Sequence, residues 1–214
     1  MHKKKQLTLT TAVIAATALL VSGCSSGSAV SRLTPSFSPK LGFSPSWTGT
    51  SASPRVWNGG RKIRKGGGHY KLGSPYTVAG KRYYPREDKY YDRVGVASWY
   101  GDDFHGRLTA NGEIYDMNAL TAAHPTLPLP SLVKVTNLKN NRSLVVRVND
   151  RGPYVHDRLI DLSRKTADLL GLRHAGLAKV RVQYVGRAPL NGDDSYERRY
   201  AQGKRTTRTS WFGF

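Results

Sequence analysis

Val133-Lys134-Val135-Thr136-Asn137-Leu138-Lys139-Asn140-Asn141-Arg142-Ser143-Leu144-Val145-Val146-Arg147-Val148-Asn149-Asp150-Arg151-Gly152-Pro153 carries the clearest strand pattern in the chain. Apolar and polar residues alternate over 133–137, residues 138–142 form a polar turn, and 144–148 return as a second strand. A period of two turns one face of each strand toward a core. Upstream, residues 94–100 alternate loosely and read as a strand. Downstream, residues 179–184 alternate again as the last strand. Asn111-Gly112 is a hairpin-type turn signal. Ser163 is placed to cap a short helix through Leu170, with Gly171 at its C-terminal end. Short strands at this spacing, with one short helix, predict a small, mainly β barrel over residues 94–186.

The rest of the 214 residues has a different composition. Only 38% of the chain is hydrophobic, and 22 Gly and 11 Pro add loop-forming content, so part of it should be linker. The 34 Lys and Arg outnumber the 14 Asp and Glu, for a net charge of +20. Half of that excess falls in residues 24–93, with 13 basic and 3 acidic side chains. Residues 24–75 hold Pro35, Pro39, Pro45 and Pro54, then the basic run Arg61-Lys62-Ile63-Arg64-Lys65-Gly66-Gly67-Gly68, and no period persists. They read as a long disordered tether. Residues 76–93 carry Tyr76, Tyr83, Tyr84, Tyr90 and Tyr91 and read as an ordered lead-in to the barrel. Residues 187–214 form a polar, basic tail.

The N-terminus reads as an address. His2-Lys3-Lys4-Lys5 is a positive n-region, residues 7–21 are an apolar h-region, and Val21-Ser22-Gly23 precedes the only cysteine, Cys24. This resembles the lipobox of bacterial lipoproteins, with residues 1–23 as signal peptide and Cys24 as the acylated first residue of the mature chain. Ser25 after the cysteine resembles sorting to the outer membrane, facing the periplasm. One cysteine excludes an intrachain disulfide framework, and one short apolar run excludes a polytopic membrane protein. An exported basic chain meets anionic lipid and cell-wall polymer rather than nucleic acid.

Three groups can carry chemistry. Asp150 ends an apolar strand, where a carboxylate is held rigidly for acid/base work, or else satisfies donors in the Gly152-Pro153 turn. Glu113 follows the Asn111-Gly112 turn, as a functional carboxylate or a solvated one. His124 is a functional or a structural histidine. Trp99 and Tyr100 are candidates for sugar stacking, and strand alternation allows at most one of them to face a groove. No zinc-ligand spacing, nucleophile elbow or phosphate-binding loop is found, so no metal or cofactor is expected.

The blocks Gly95-Val96-Ala97-Ser98-Trp99-Tyr100-Gly101, Phe104-His105-Gly106-Arg107-Leu108-Thr109-Ala110-Asn111-Gly112-Glu113, Thr121-Ala122-Ala123-His124 and Val146-Arg147-Val148-Asn149-Asp150-Arg151-Gly152-Pro153 resemble the rare lipoprotein A (RlpA) family. The likeness covers residues 94–186. It implies a six-stranded double-psi β-barrel, also found in expansins, with one or two short helices. It also implies a peptidoglycan lytic transglycosylase that cuts between N-acetylmuramic acid and N-acetylglucosamine, leaves 1,6-anhydro ends and prefers peptide-poor strands. Carried onto this chain, its important positions are Asp150, Glu113 and His124. Asp150 is the first choice as proton donor, which requires a pKa raised by burial or by a nearby carboxylate. Ser98, Trp99, Tyr100, Thr109, Asn149 and Arg151 would line the groove. The tail is too short for the C-terminal glycan-binding domain of many family members, and the basic tether offers affinity for wall or lipid instead. The alternatives are a non-catalytic, expansin-like glycan-binding module and a lipoprotein that positions division or wall-synthesis partners.

Overall fold

The structure is a computed structural model that describes residues 53–60, 62–155 and 157–203. The expected signal peptide, Cys24, most of the tether and the last residues of the tail lie outside the described residues. Among the described residues, eight strands, two α-helices and a 3-10 turn at Asp102–Phe104 follow in chain order. The strands are β1 (Tyr76–Val78), β2 (Lys81–Tyr83), β3 (Asp92–Trp99), β4 (Thr121–Ala123), β5 (Ser131–Asn137), β6 (Ser143–Asp150), β7 (Arg158–Leu162) and β8 (Ala178–Arg187). The helices are α1 (Arg164–Leu170) and α2 (Ser195–Ala201).

Strands β3 to β8 close a six-stranded barrel in the order β3-β7-β4-β6-β5-β8. The pairs β3–β7 and β4–β6 are parallel and the other four are antiparallel. The β5–β6 hairpin pairs Val133 with Val146 and Val135 with Leu144, as the alternation predicts. Ala97, Ala122, Val133, Val135, Val146, Val148, Ile160, Leu162, Val180 and Val182 fill the interior with no exposed surface. Full closure leaves this sheet no free edge. Ser163 caps α1 by accepting from the Thr166 N–H, and Gly171 ends it in the left-handed conformation at φ 72°. The Asn111-Gly112 turn forms as expected, with Gly112 at φ 88° and the Thr109 N–H donating to the Glu113 carbonyl at 2.8 Å.

Two flanks depart from the sequence reading. Residues 53–60 and 62–75, read as part of the tether, lie along the barrel as a strap. Val56 donates to the Gly106 carbonyl, His69 to Asn111, and Lys71 exchanges backbone hydrogen bonds with Leu129. Ile63 is buried. The strap's backbone groups pair with barrel loops rather than within an element of their own, so no period marks it. The tail contributes α2, whose Tyr196 and Tyr200 pack on Leu132, Val145 and Ala188 outside the barrel. Lys65 of the strap pairs with Asp194, and the Gly67 N–H donates to the Leu190 carbonyl, so strap and tail meet. In the lead-in, Tyr76 stacks on Tyr83 with Tyr154 edge-on to both, while Tyr84 and Tyr90 face solvent.

A Cβ on Gly68 would come within 2.6 Å of the Asn111 carbonyl and 2.9 Å of the Glu113 Cγ. Gly68→Val is therefore expected to lift the strap while the barrel stays folded. Hydrogen exchange at His69 and Lys71 should accelerate, with β5 and β6 still protected; unchanged protection at His69 would show that the strap does not depend on this contact.

Candidate active site

Asp150 ends β6, and the site is built around its carboxyl. The backbone N–H groups of Ala110 and Arg151 both donate to Oδ1, each at 2.8 Å. Among the described residues neither these bonds nor any other falls on Oδ2. Burial pushes the Asp150 pKa up to about 6, against the pull of those two N–H groups and of the Arg151 and Lys71 charges. The sequence reading asked for a raised pKa from burial or from a second carboxylate. Burial supplies it.

Glu113 does not supply that second charge, because its own charge is already matched. Arg147 donates to it through Nε at 3.0 Å and through Nη2 at 2.5 Å. Asn149 Nδ2 adds a bond at 2.9 Å and Asn111 Nδ2 one at 3.1 Å. Burial pushes the Glu113 pKa up, but the bonds and charge of Arg147, with Asn149 and Asn111, outweigh it and hold the group below its ordinary value. Glu113 is 4% exposed, so it is a buried anion in a closed cage. The Thr109 hydroxyl completes that cage by donating to Asn111 Oδ1 at 2.8 Å. One loop, residues 109–113, thus holds Glu113 and presents the Ala110 N–H to Asp150.

His124 sits beside the same strand end as a structural residue. Its Nδ1 accepts from the backbone N–H groups of Thr126 and Leu127, at 3.2 and 3.1 Å. Those bonds place the proton on Nε2, which lies 2.8 Å from the Tyr91 hydroxyl. Both nitrogens are used inside the protein, so neither is left for a substrate. The His124 backbone N–H donates to the Asp150 carbonyl at 3.0 Å, which makes it a positioning residue for that strand end. Burial, with the nearby Arg151 charge, lowers its pKa to about 3. The ring is expected to stay neutral from pH 5 to 8, with one N–H, on Nε2, in nitrogen-15 NMR; titration near its ordinary value would refute this assignment.

The expected groove residues divide. Asn149 and Thr109 belong to the Glu113 cage. Arg151 ties the strand end to its surroundings, donating to the Leu127 carbonyl at 2.5 Å and to the Leu72 carbonyl of the strap at 2.7 Å. Ser98 lies elsewhere, donating to Asp161 at 2.5 Å and accepting from Arg158 at 2.6 Å inside a buried cluster. Neither aromatic of the pair is an open stacking platform. Trp99 packs against the barrel core with the Arg173 guanidinium 5.9 Å from its ring. Tyr100 is buried against Tyr115, with centroids 4.3 Å apart, and Phe104. Its phenol is held protonated, chiefly by burial. The sequence reading missed Arg147, Asn111, Lys71 and Glu197. Arg147 had a signal, a lone cation inside the apolar run of β6. Among the described residues no cluster of His, Cys, Asp and Glu is placed to hold a metal ion.

A family described as lytic transglycolase matches residues 92–182, which span β3 to the first half of β8 and contain Asp150, Glu113 and His124. A protein of Campylobacter jejuni named endolytic peptidoglycan transglycosylase RlpA is 40% identical over 196 residues, covering 89% of this chain and 64% of that one. Residues 92–182 thus carry the domain of this family, and the chain is similar to proteins named RlpA. A Pseudomonas aeruginosa protein of the same name is 60% identical over 113 residues, 52% of this chain and 33% of that one. One from Rickettsia prowazekii is 53% identical over 121 residues, 55% of this chain and 38% of that one. The chain thus spans between about a third and two thirds of the length of these curated RlpA relatives. The strap and α2 lie outside the residues that this family matches.

Proposed function

We propose that this chain is a peptidoglycan lytic transglycosylase, in keeping with the names of its RlpA relatives. The observation that carries the reading is Asp150, a carboxyl at a rigid strand end that burial holds partly protonated near neutral pH. A module that only binds glycan has no use for such an acid. Asp150 donates its proton to the bridging oxygen as the bond from muramic acid C1 breaks. The C6 hydroxyl of the same muramic acid closes onto C1. The carboxylate then takes the hydroxyl proton, so Asp150 ends the cycle protonated and no water is consumed. Oδ2 faces the sugar, since Oδ1 is occupied by the two N–H groups. Glu113 fixes the loop that supplies one of them. It does not abstract the C6 proton itself, because its oxygens already accept from Arg147, Asn149 and Asn111.

In this reading the substrate is the peptide-poor glycan strand, cut internally. The lipobox supports a mature chain acylated on Cys24 and held at the envelope, with the basic tether near anionic lipid or wall. Digests of intact peptidoglycan and of peptide-stripped strands, read by mass spectrometry, test the reaction. Anhydro ends rising faster on stripped strands are expected. Reducing ends would make the protein a hydrolase, and no cleavage of either substrate would overturn the enzyme reading.

A further inference from the structure

The strap brings a cation to the acid site. Lys71 donates from Nζ to the Ala110 carbonyl at 2.9 Å. The N–H of that same Ala110 donates to Asp150 Oδ1 at 2.8 Å. Ala110 is thus gripped from both sides, by the Asp150 carboxyl and by the Lys71 ammonium. The Lys71 charge also acts on the carboxyl, together with that of Arg151, and favours its ionised form.

The Lys71 backbone is placed independently of its side chain. Its N–H donates to the Leu129 carbonyl at 2.7 Å, and its own carbonyl accepts from the Leu129 N–H at 2.9 Å. On one side the His69 N–H donates to the Asn111 carbonyl at 2.9 Å. On the other the Leu72 carbonyl accepts from Arg151 Nη2 at 2.7 Å. The strap is therefore stitched to the loop that holds Glu113 and to the residue next to Asp150, with Lys71 between the two stitches.

We propose that Lys71 is a positioning residue for the acid step: its ammonium holds Ala110 against Asp150, so the strap completes a site that the barrel begins. Lys71 lies outside residues 92–182, which the lytic transglycolase family matches. The proposal rests on the reading of Asp150 as proton donor. Its two contributions have the same sign. The carboxylate gains from the Ala110 N–H and from a nearby ammonium, and the neutral acid gains less from either. Loss of Lys71 therefore raises the pH at which Asp150 ionises, and the protonated acid persists further into the alkaline range.

That ionisation is readable without cleavage, because the Ala110 amide sits on the carboxyl. The cations facing Asp150 are Arg151 and Lys71. The phenols of Tyr100, Tyr115 and Tyr154 are pushed up by burial, and burial takes His124 down to about 3. Glu113, against its burial, is held below its ordinary value by Arg147. A step near pH 6 at the Ala110 amide therefore belongs to Asp150.

Nitrogen-15 NMR titration of the full-length chain, followed at that amide, tests the proposal. The wild type should show the step near pH 6, and Asp150→Asn should lack it. Lys71→Met should move the step up by about half a pH unit or more. The alkaline limb of the cleavage rate should move with it. Lys71→Arg, which keeps the charge and a donor, should leave both close to the wild type. Gly68→Val lifts the strap and takes the ammonium with it, so it should raise the step as far, and adding Lys71→Met to it should raise it no further. A step unmoved in Lys71→Met, or moved equally by Lys71→Arg, would overturn the proposal. The two readings fail separately. A step that moves without anhydro products sinks the enzyme and leaves the clamp, while anhydro products with an unmoved step do the reverse.

Discussion

Asp150→Asn is expected to lower the yield of 1,6-anhydro ends by about a hundredfold to ten-thousandfold, the usual worth of a general acid. The carboxamide has the shape of the carboxyl and keeps an oxygen for the Ala110 and Arg151 N–H groups, so the loop it anchors should hold. Stability should move the other way. A carboxyl whose folded pKa is raised to about 6 binds its proton more tightly when folded. Its contribution to stability is full below the unfolded value, is lost as pH rises through about 6, and leaves a buried charge above that. The amide carries no such cost, so at neutral pH the variant should melt at the same temperature or higher. In the wild type the rate should fall about tenfold per pH unit once Asp150 ionises above about 6. A rate that climbs through that range would make Asp150 a base, and loss of activity together with a lower melting temperature would make it a structural residue.

Arg147→Met should be the most destabilising single change in the site. It leaves Glu113 as a buried anion that keeps only the Asn149 and Asn111 amides as partners. Breaking a buried pair from one side costs about 3–5 kcal/mol. The double variant Glu113→Gln with Arg147→Met removes both charges and should recover much of that loss. Urea unfolding of the two single variants and the double variant closes the cycle. A strongly non-additive result is expected, with the double variant more stable than Arg147→Met alone. Simple addition of the two losses would mean that the pair is not coupled and that the cage is held by packing. Arg147→Met should also slow catalysis, because the loop that Glu113 holds is the one that offers the Ala110 N–H to Asp150.

Much of the barrel was legible because its signals are local. The alternation at 133–137 and 144–148 became the β5–β6 hairpin, and Ser163 and Gly171 bracket α1. Asp150 was legible as a carboxylate at a strand end. The strap was not, since its hydrogen bonds run to residues 106, 111 and 129, far from it in sequence. Glu197 was hidden for a similar reason. In a basic, polar tail nothing marks one glutamate as buried, and only the fold of α2 onto β6 brings it to Arg147. Trp99 and Tyr100 carry the aromatic chemistry of a sugar platform, but composition does not report which face is covered. Phe104 and Tyr115 cover Tyr100 from loops that the strand pattern does not place. His124 fits a catalytic residue as well as a structural one until the bonds to Nδ1 and Nε2 are known.

The central claim is that Asp150 transfers a proton within the substrate's own chemistry and that water takes no part. Digestion of peptide-stripped glycan strands in heavy-oxygen water tests it directly. The account predicts muramic ends one water lighter than hydrolysis products, with no heavy oxygen in them, and the loss of those ends with Asp150→Asn. Heavy oxygen at muramic C1 would contradict it, because the attacking group would then be water and the barrel would be running a hydrolysis.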